Sequence, residues 1–166
     1  INTINVVANT QWVSATLTAS TLNDYLYFSD DDSNDTVQIV TPKQYDKTIK
    51  YLSLKLSKDI KYKKFGLDNT FLFQKVDQQN DILNVPQFVT RNTLYYSEYF
   101  FKKALYVQTG LTFNYFTKYY ANSHNPMIAE FFVQNTTEIG DYANFDYFIN
   151  FRIQQVRIFL IAEHFD

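Results

Sequence analysis

Apolar and polar side chains alternate along most of this 166-residue chain. Between positions 143 and 153, every odd-numbered residue is apolar or aromatic, and all but one of the even-numbered residues are polar. The same alternation runs through 13–19, 52–57 and 105–118. A period of two places successive side chains on opposite faces of a β-strand, whereas helical spacing repeats every 3.6 residues. No segment sustains the helical spacing, so the sequence predicts an all-β chain.

The predicted strands are long for a soluble protein. Runs such as 45–57 and 105–119 are about twice the ~5–6 residues of typical strands, and they exceed the ~9–11 residues that a tilted strand needs to cross a bilayer. No run approaches the ~20 apolar residues of a membrane-spanning helix. The predicted strands are 2–9, 11–20, 24–29, 46–58, 63–77, 87–99, 104–119, 127–137, 143–153 and 155–165. We therefore predict an antiparallel transmembrane β-barrel, in which residues 1–166 form one barrel domain, or part of one, with about 9–10 strands.

Each strand of such a barrel has one face toward lipid and one toward the interior. The lipid-facing candidates are Leu52, Leu54, Leu56, Leu111, Phe113, Tyr115, Tyr147, Ile149 and Phe151. The charged residues on the polar parity are Lys55, Arg91, Lys118, Asp146, Arg152, Arg157 and Glu163. A cationic side chain on the lipid face would cost about 2–4 kcal/mol at the bilayer midplane. These charges therefore indicate either a pore lining of mixed charge with some positive bias, or an interior plugged by ion pairs.

Aromatic residues are unusually frequent, with 16 Phe and 14 Tyr. Many of them cluster near predicted strand ends, as in 95–101 and 115–120. Aromatic girdles at the two lipid–water interfaces are typical of bacterial barrels. The alternative is that Phe and Tyr simply favour strands in a soluble core.

The connections between strands differ in length. Tight reversals are predicted at 101–103 and 153–155, and longer polar connections at 29–43, 77–84 and 121–126. Bacterial barrels place short turns on the periplasmic side and long loops outside. The predicted reversal near Gln154 interrupts the regular alternation of short and long connections. The pattern therefore does not assign individual strand ends to the periplasmic or the external side.

Residue types that typically form catalytic and metal sites are rare in this sequence. The chain has no Cys, two His and a net charge of −2, which gives no thiol chemistry and no basic field for nucleic acid. Asp30, Asp32 and Asn34 have the spacing of a calcium loop, but Asp35 and Thr41 stand where its Gly and Glu are required. A solvated extracellular loop is the favoured interpretation, and loose cation binding is the alternative. We expect no enzyme activity, no catalytic residue, no metal and no cofactor.

Several segments resemble the putative porin family of Bacteroidota outer membranes. The similar segments are 85–95 (VPQFVTRNTLY), 101–105 (FKKAL), 108–117 (QTGLTFNYFT), 121–126 (ANSHNP), 130–135 (EFFVQN) and 157–165 (RIFLIAEHF). The resemblance is good over 45–165 and looser before it. It implies a β-barrel in the outer membrane of a Gram-negative bacterium and a passive channel role in ion and solute transport, and it supplies no catalytic residues.

We therefore expect an outer-membrane porin through which small hydrophilic solutes diffuse, in contact with outer-membrane lipid. One alternative is a structural barrel without an open pore that docks other outer-membrane proteins or the barrel-assembly machinery. Another is a soluble β-sandwich that binds carbohydrate. Because the alternation starts at Ile1 and the family pattern continues past Asp166, we expect the C-terminal part of a larger barrel.

Overall fold

A computed structural model describes residues 1–30 and 39–164 of the chain. Every regular element in these residues is a β-strand, so the predicted fold class, all-β and antiparallel, is confirmed. Among the described residues, no helix is long and apolar enough to cross a membrane. The strands are β1 (Asn2–Asn9), β2 (Ser14–Leu22), β3 (Tyr25–Asp30), β4 (Val40–Tyr45), β5 (Ile49–Tyr62), β6 (Phe65–Asp77), β7 (Phe88–Phe100), β8 (Leu105–Phe116), β9 (Tyr119–Tyr120), β10 (Ser123–Asn125), β11 (Glu130–Phe132), β12 (Glu138–Ile139), β13 (Ala143–Ile153) and β14 (Val156–Ala162).

Eight of these strands form one antiparallel sheet in the order β1-β2-β5-β6-β7-β8-β13-β14. Each long strand hydrogen-bonds to the long strands before and after it in the chain, so the sheet is an up-and-down meander. Pairing is extensive: β5 and β6 match from Lys50–Asp77 to Tyr62–Phe65. Strands β1 and β14 are the two edges, and each has one partner. The described strands thus form an open sheet, and the closure predicted for a barrel is not seen.

The two ends of the sheet differ completely. At one end, short turns join β1 to β2, β5 to β6, β7 to β8 and β13 to β14. At the other end, the connections are 23–48, 78–87 and 117–142, and they contain all the short strands. The alternation of short and long connections is therefore regular. We expected the turn near Gln154 to break this alternation, and that expectation was wrong. The residues predicted as a strand at 127–137 belong to a long connection rather than to the sheet.

The short turns are built almost without glycine. Lys63 (φ 56°) and Gln154 (φ 51°) take the left-handed conformation in their turns, and Phe101, Lys102 and Lys103 take it in succession (φ 51°, 53° and 72°). Non-glycine residues rarely adopt this conformation, but a tight hairpin reversal needs positive φ values. The tight reversals predicted at 101–103 and 153–155 are confirmed.

The three long connections pack together, and we call their described residues the loop cap. Val133 in the third connection donates its N–H to Phe28 O in the first at 2.9 Å. Asn135 in the third donates to Asp81 O in the second at 2.9 Å. The most deeply buried apolar side chains in the described part of the chain lie in the cap or next to it: Tyr45, Ile49 and Phe132. The hydrophobic core thus sits at the loop end, not on the sheet.

Candidate functional site

The register of the sheet separates two faces with different chemistry. Leu94 lies opposite Leu67 and Leu111, and Leu111 lies opposite Tyr147. Neighbouring positions on the other face carry Thr93 and Thr112, which also lie opposite each other. Because directly opposed residues lie on the same face of a sheet, the register allows the two faces to be followed across all eight strands. We call the two surfaces the apolar face and the polar face.

All of the lipid-facing candidates lie on the apolar face. Leu56 shares a cross-strand row with Phe71, Thr90 and Tyr115, which places the β5 and β8 candidates on one surface. Large side chains on this surface are exposed, among them Leu52 (46%), Leu94 (52%) and Leu111 (45%). The candidates on this face are Leu52, Leu54, Leu56, Leu111, Phe113, Tyr115, Tyr147, Ile149 and Phe151. Their contact with lipid stays a prediction.

Aromatic side chains form bands on the apolar face. Phe73 and Phe88 pack at 4.8 Å between ring centroids, and Phe88 reaches Tyr115 at 6.5 Å, across three strands near the loop end. Near the turn end, Phe65 and Tyr96 pack at 5.2 Å. Two aromatic levels on one face are the arrangement expected of interface girdles, which supports that interpretation of the composition.

Polar groups also lie on the apolar face. Those in β5 and β6 are Lys50, Lys58, Asn69, Lys75 and Asp77. Asn69 and Asn92 lie opposite each other, and the amide of Asn92 donates to Thr90 Oγ1 at 2.8 Å. At the turn end, Lys64 forms an ion pair with Glu98. This hydrogen bond raises the pKa of the Lys64 amine above its usual value.

Most of the predicted pore-lining residues lie on the polar face. These are Lys55, Arg91, Asp146, Arg152 and Arg157. Glu163 follows the end of β14 and lines the same cavity as Asp146. Lys118 is different: it lies beyond β8 in the loop cap, where it forms an ion pair with Asp141 at 3.8 Å. Its expected position in a strand was wrong, because β8 ends at Phe116.

A cavity of about 570 Å³ lies on the polar face and is open to solvent. A single cross-strand row crosses it and contains Asp68, Thr93, Thr112 and Asp146. Thr93 and Thr112 share a hydrogen bond at 3.0 Å. Asn114 donates to Asp146 at 2.7 Å. The hydroxyls and amides on this wall bond to each other and to carboxylates, so this part of the cavity is polar, and Phe148, Phe159 and Ile161 add apolar lining beside it.

Sequence reasoning missed two carboxylates on this face. Asp59 and Asp68 lie directly opposite each other on β5 and β6. The signal was available in part: Asp68 lies inside the predicted strand 63–77, and Asp59 has the same parity as Lys55 but lies one residue past the predicted strand 46–58. The charged residues on or lining the polar face are Lys55, Asp59, Lys61, Asp68, Arg91, Asp146, Arg152, Arg157 and Glu163. The surface is therefore of mixed charge, with less positive bias than expected.

A second small cavity, of about 180 Å³, lies on the polar face at the turn end. One cross-strand row there reads Tyr99, Tyr106, Arg152, Arg157. Arg152 donates to the Tyr99 hydroxyl at 2.8 Å, and its guanidinium stands 5.2 Å from the Tyr106 ring centroid. Rings on two strands thus hold this cation in place.

No group of three or more His, Asp or Glu side chains suited to a metal occurs in the described part of the chain. Of the calcium-like spacing, Asp30 ends β3, while Asp32 and Asn34 lie outside the described residues.

Comparison with known proteins agrees with the two-faced sheet. The model of a family described as "Putative porin" matches residues 1–166, which is the whole chain. No curated protein and no solved structure matches it. Because the family model matches the full length of the sequence, this chain belongs to the putative porin family.

Proposed function

We propose that this chain forms the wall of an outer-membrane β-barrel through which small hydrophilic solutes diffuse passively, without catalysis. The single observation that carries the proposal is the separation of faces across eight long strands in continuous register. Large side chains of the apolar face, such as Leu52, Leu94 and Leu111, are exposed in the described chain. The polar face carries charged and hydroxyl side chains, which interact favourably with water.

The strand lengths and connections support the same proposal. The central strands β5 to β8 have 14, 13, 13 and 12 residues, which exceeds the ~9–11 needed to cross a bilayer at a tilt. Short turns at one end and long connections at the other are typical of bacterial outer-membrane barrels. In lipid, unpaired backbone groups at β1 and β14 would be costly, so the barrel closes by pairing these edges with further strands or with each other.

A structural barrel without an open pore is the second candidate. The loop cap favours it, because its three connections are tied together by hydrogen bonds and have their own buried core. A rigid cap could cover the loop end of a lumen. A carbohydrate-binding sandwich has less support, since a sandwich needs two sheets packed face to face, whereas the described long strands form one sheet.

Planar-bilayer recording of the purified full-length protein tests the channel. We expect stepwise conductance increases upon insertion, with a current proportional to voltage at low potentials. The control is the same preparation after heat denaturation, which should give no steps. Insertion of correctly folded protein without any conductance would contradict the channel and favour the structural barrel.

A further inference from the structure

We propose that the paired arginines Arg152 and Arg157 form a binding site for the oxyanion of a soluble phosphate- or carboxylate-bearing solute. The site lies at the turn end of the polar face, in the 180 Å³ cavity. That the solute reaches it through the lumen rests on the proposed channel; the binding chemistry itself does not.

The first argument is the unfavourable charge arrangement. Arg152 and Arg157 are direct cross-strand partners, which puts their Cβ atoms about 4.5–5.5 Å apart. Like charges directly opposite each other are destabilising. Neither guanidinium forms an ion pair with a carboxylate of the described chain. Asp146, on the same face of β13, is six positions from Arg152, about 20 Å along a strand. An oxyanion between the two cations would remove this repulsion.

The second argument is that the site is already ordered. The Tyr99 hydroxyl accepts from Arg152 at 2.8 Å, and the Tyr99 and Tyr106 ring centroids lie 5.9 and 5.2 Å from its guanidinium. These contacts hold the guanidinium between two rings and occupy one of its N–H donors, which leaves other donors for a ligand. Such a preorganised arrangement lowers the entropic cost of binding.

The third argument concerns the remaining walls of the cavity. Gln108 and Asn150 supply side-chain amides, which share a hydrogen bond at 3.4 Å. Phe159 supplies an apolar surface beside them. Arginine binds carboxylate and phosphate through parallel hydrogen bonds, and an amide can donate to a further oxygen. The cavity therefore suits a small solute with one oxyanion group and a compact apolar part.

Residue-resolved arginine modification tests the site, with inorganic phosphate as the probe. The full-length protein is held in a sugar-based detergent without phosphate and treated with phenylglyoxal. The arginines of this sequence are Arg91, Arg152 and Arg157, so Arg91 is an internal control. We expect phosphate to slow modification of Arg152 and Arg157 several-fold relative to chloride of equal ionic strength, and to leave Arg91 unchanged. No protection, or equal protection of all three, would overturn the site.

Calorimetric titration with phosphate then compares matched variants. Arg157→Gln and Arg152→Gln should each weaken phosphate affinity at least tenfold, because each leaves a single guanidinium. Lys102→Gln removes the same charge from the exposed turn at the same end of the sheet and should bind like the parent. Arg157→Lys keeps the charge but loses the planar fork, so its affinity should fall in between. Equal affinity of Arg157→Gln and Lys102→Gln would contradict the proposal.

Two further measurements separate this site from other interpretations. Adding phosphatidylglycerol to the micelles should not displace phosphate; displacement would overturn the assignment to a soluble anion in favour of a lipid headgroup. Phosphate binding in a protein that shows no conductance would reject the channel and keep the site. Conductance without arginine protection would reject the site and keep the channel.

Discussion

At the scale of single residues, two of the three glycines explain how a bulky aromatic fits on the polar face. Gly66, Tyr95 and Gly110 occupy one cross-strand row. The Tyr95 ring lies over Gly66, so a Cβ there would meet the far end of the ring. A Cβ on Gly110 would meet the Leu94 carbonyl oxygen at 2.5 Å and Tyr95 Cβ at 2.8 Å. The first clash involves the far end of a flexible side chain, and the second involves a backbone oxygen and a Cβ atom that the sheet holds in place.

The two glycines should therefore respond differently to the same added methyl group. We expect Gly110→Ala to lower the free energy of unfolding by about 1–3 kcal/mol, as overpacking does. Gly66→Ala should cost clearly less, because Tyr95 can rotate away. Urea unfolding of the full-length protein in lipid vesicles, followed by tyrosine and tryptophan fluorescence, compares them directly. A larger loss for Gly66→Ala would contradict the packing described here.

At the scale of elements, period two predicted the strands of the sheet well and those of the loop cap only in part, since the predicted 24–29 agrees with β3. The predicted 63–77 and 143–153 agree closely with β6 and β13. Of the predicted strand 127–137, which is rich in apolar residues, only Glu130–Phe132 forms a strand, and it lies in the loop cap. Asn125 accepts from the Met127 N–H at 2.9 Å and helps form a turn, and Gln134 accepts from the Thr137 N–H at 2.8 Å and ends the run.

Such side-chain-to-backbone hydrogen bonds depend on local geometry that hydrophobic periodicity does not encode. The polar-face residues show the same limit. The alternation of apolar and polar positions placed Arg152 and Arg157 on the polar face. Only the strand register shows that they are cross-strand partners. Likewise, Asp59 and Asp68 become a pair only once β5 and β6 are aligned.

The faces of one strand give a sharp test of which surface meets lipid. Leu94 and Thr93 are adjacent near the middle of β7, on the apolar and polar faces. Leu94→Arg should destabilise the vesicle-inserted protein by about 2–4 kcal/mol, the cost of a cation at the bilayer midplane. Thr93→Arg should cost little, because its charge would lie in the hydrated cavity opposite Asp68. Urea unfolding midpoints in vesicles measure both, and similar losses for the two variants would reject the assignment of faces.

At the scale of the whole molecule, the asymmetry between the ends of the sheet predicts how the proposed barrel would be oriented in an outer membrane. The loop end carries a packed cap with its own buried core, whereas the turn end has only tight reversals. A chain that inserts from the periplasm must carry its long connections across the bilayer, and bacterial barrels leave their short turns behind. We therefore expect the loop cap to face the cell exterior and the Arg152–Arg157 site to face the periplasm.

The absence of cysteine makes this orientation measurable with single introduced thiols. Met127 is 90% exposed in the loop cap, and Lys102 is exposed in the β7–β8 turn. In intact cells, a maleimide too large to pass through porins should label Met127→Cys and not Lys102→Cys. After the outer membrane is permeabilised, both should be labelled to a similar extent, which shows that each thiol is reactive. Labelling of Lys102→Cys alone in intact cells would show the opposite orientation. The arginine pair would then lie at the external mouth, where it would be the first polar-face site that an incoming anion meets.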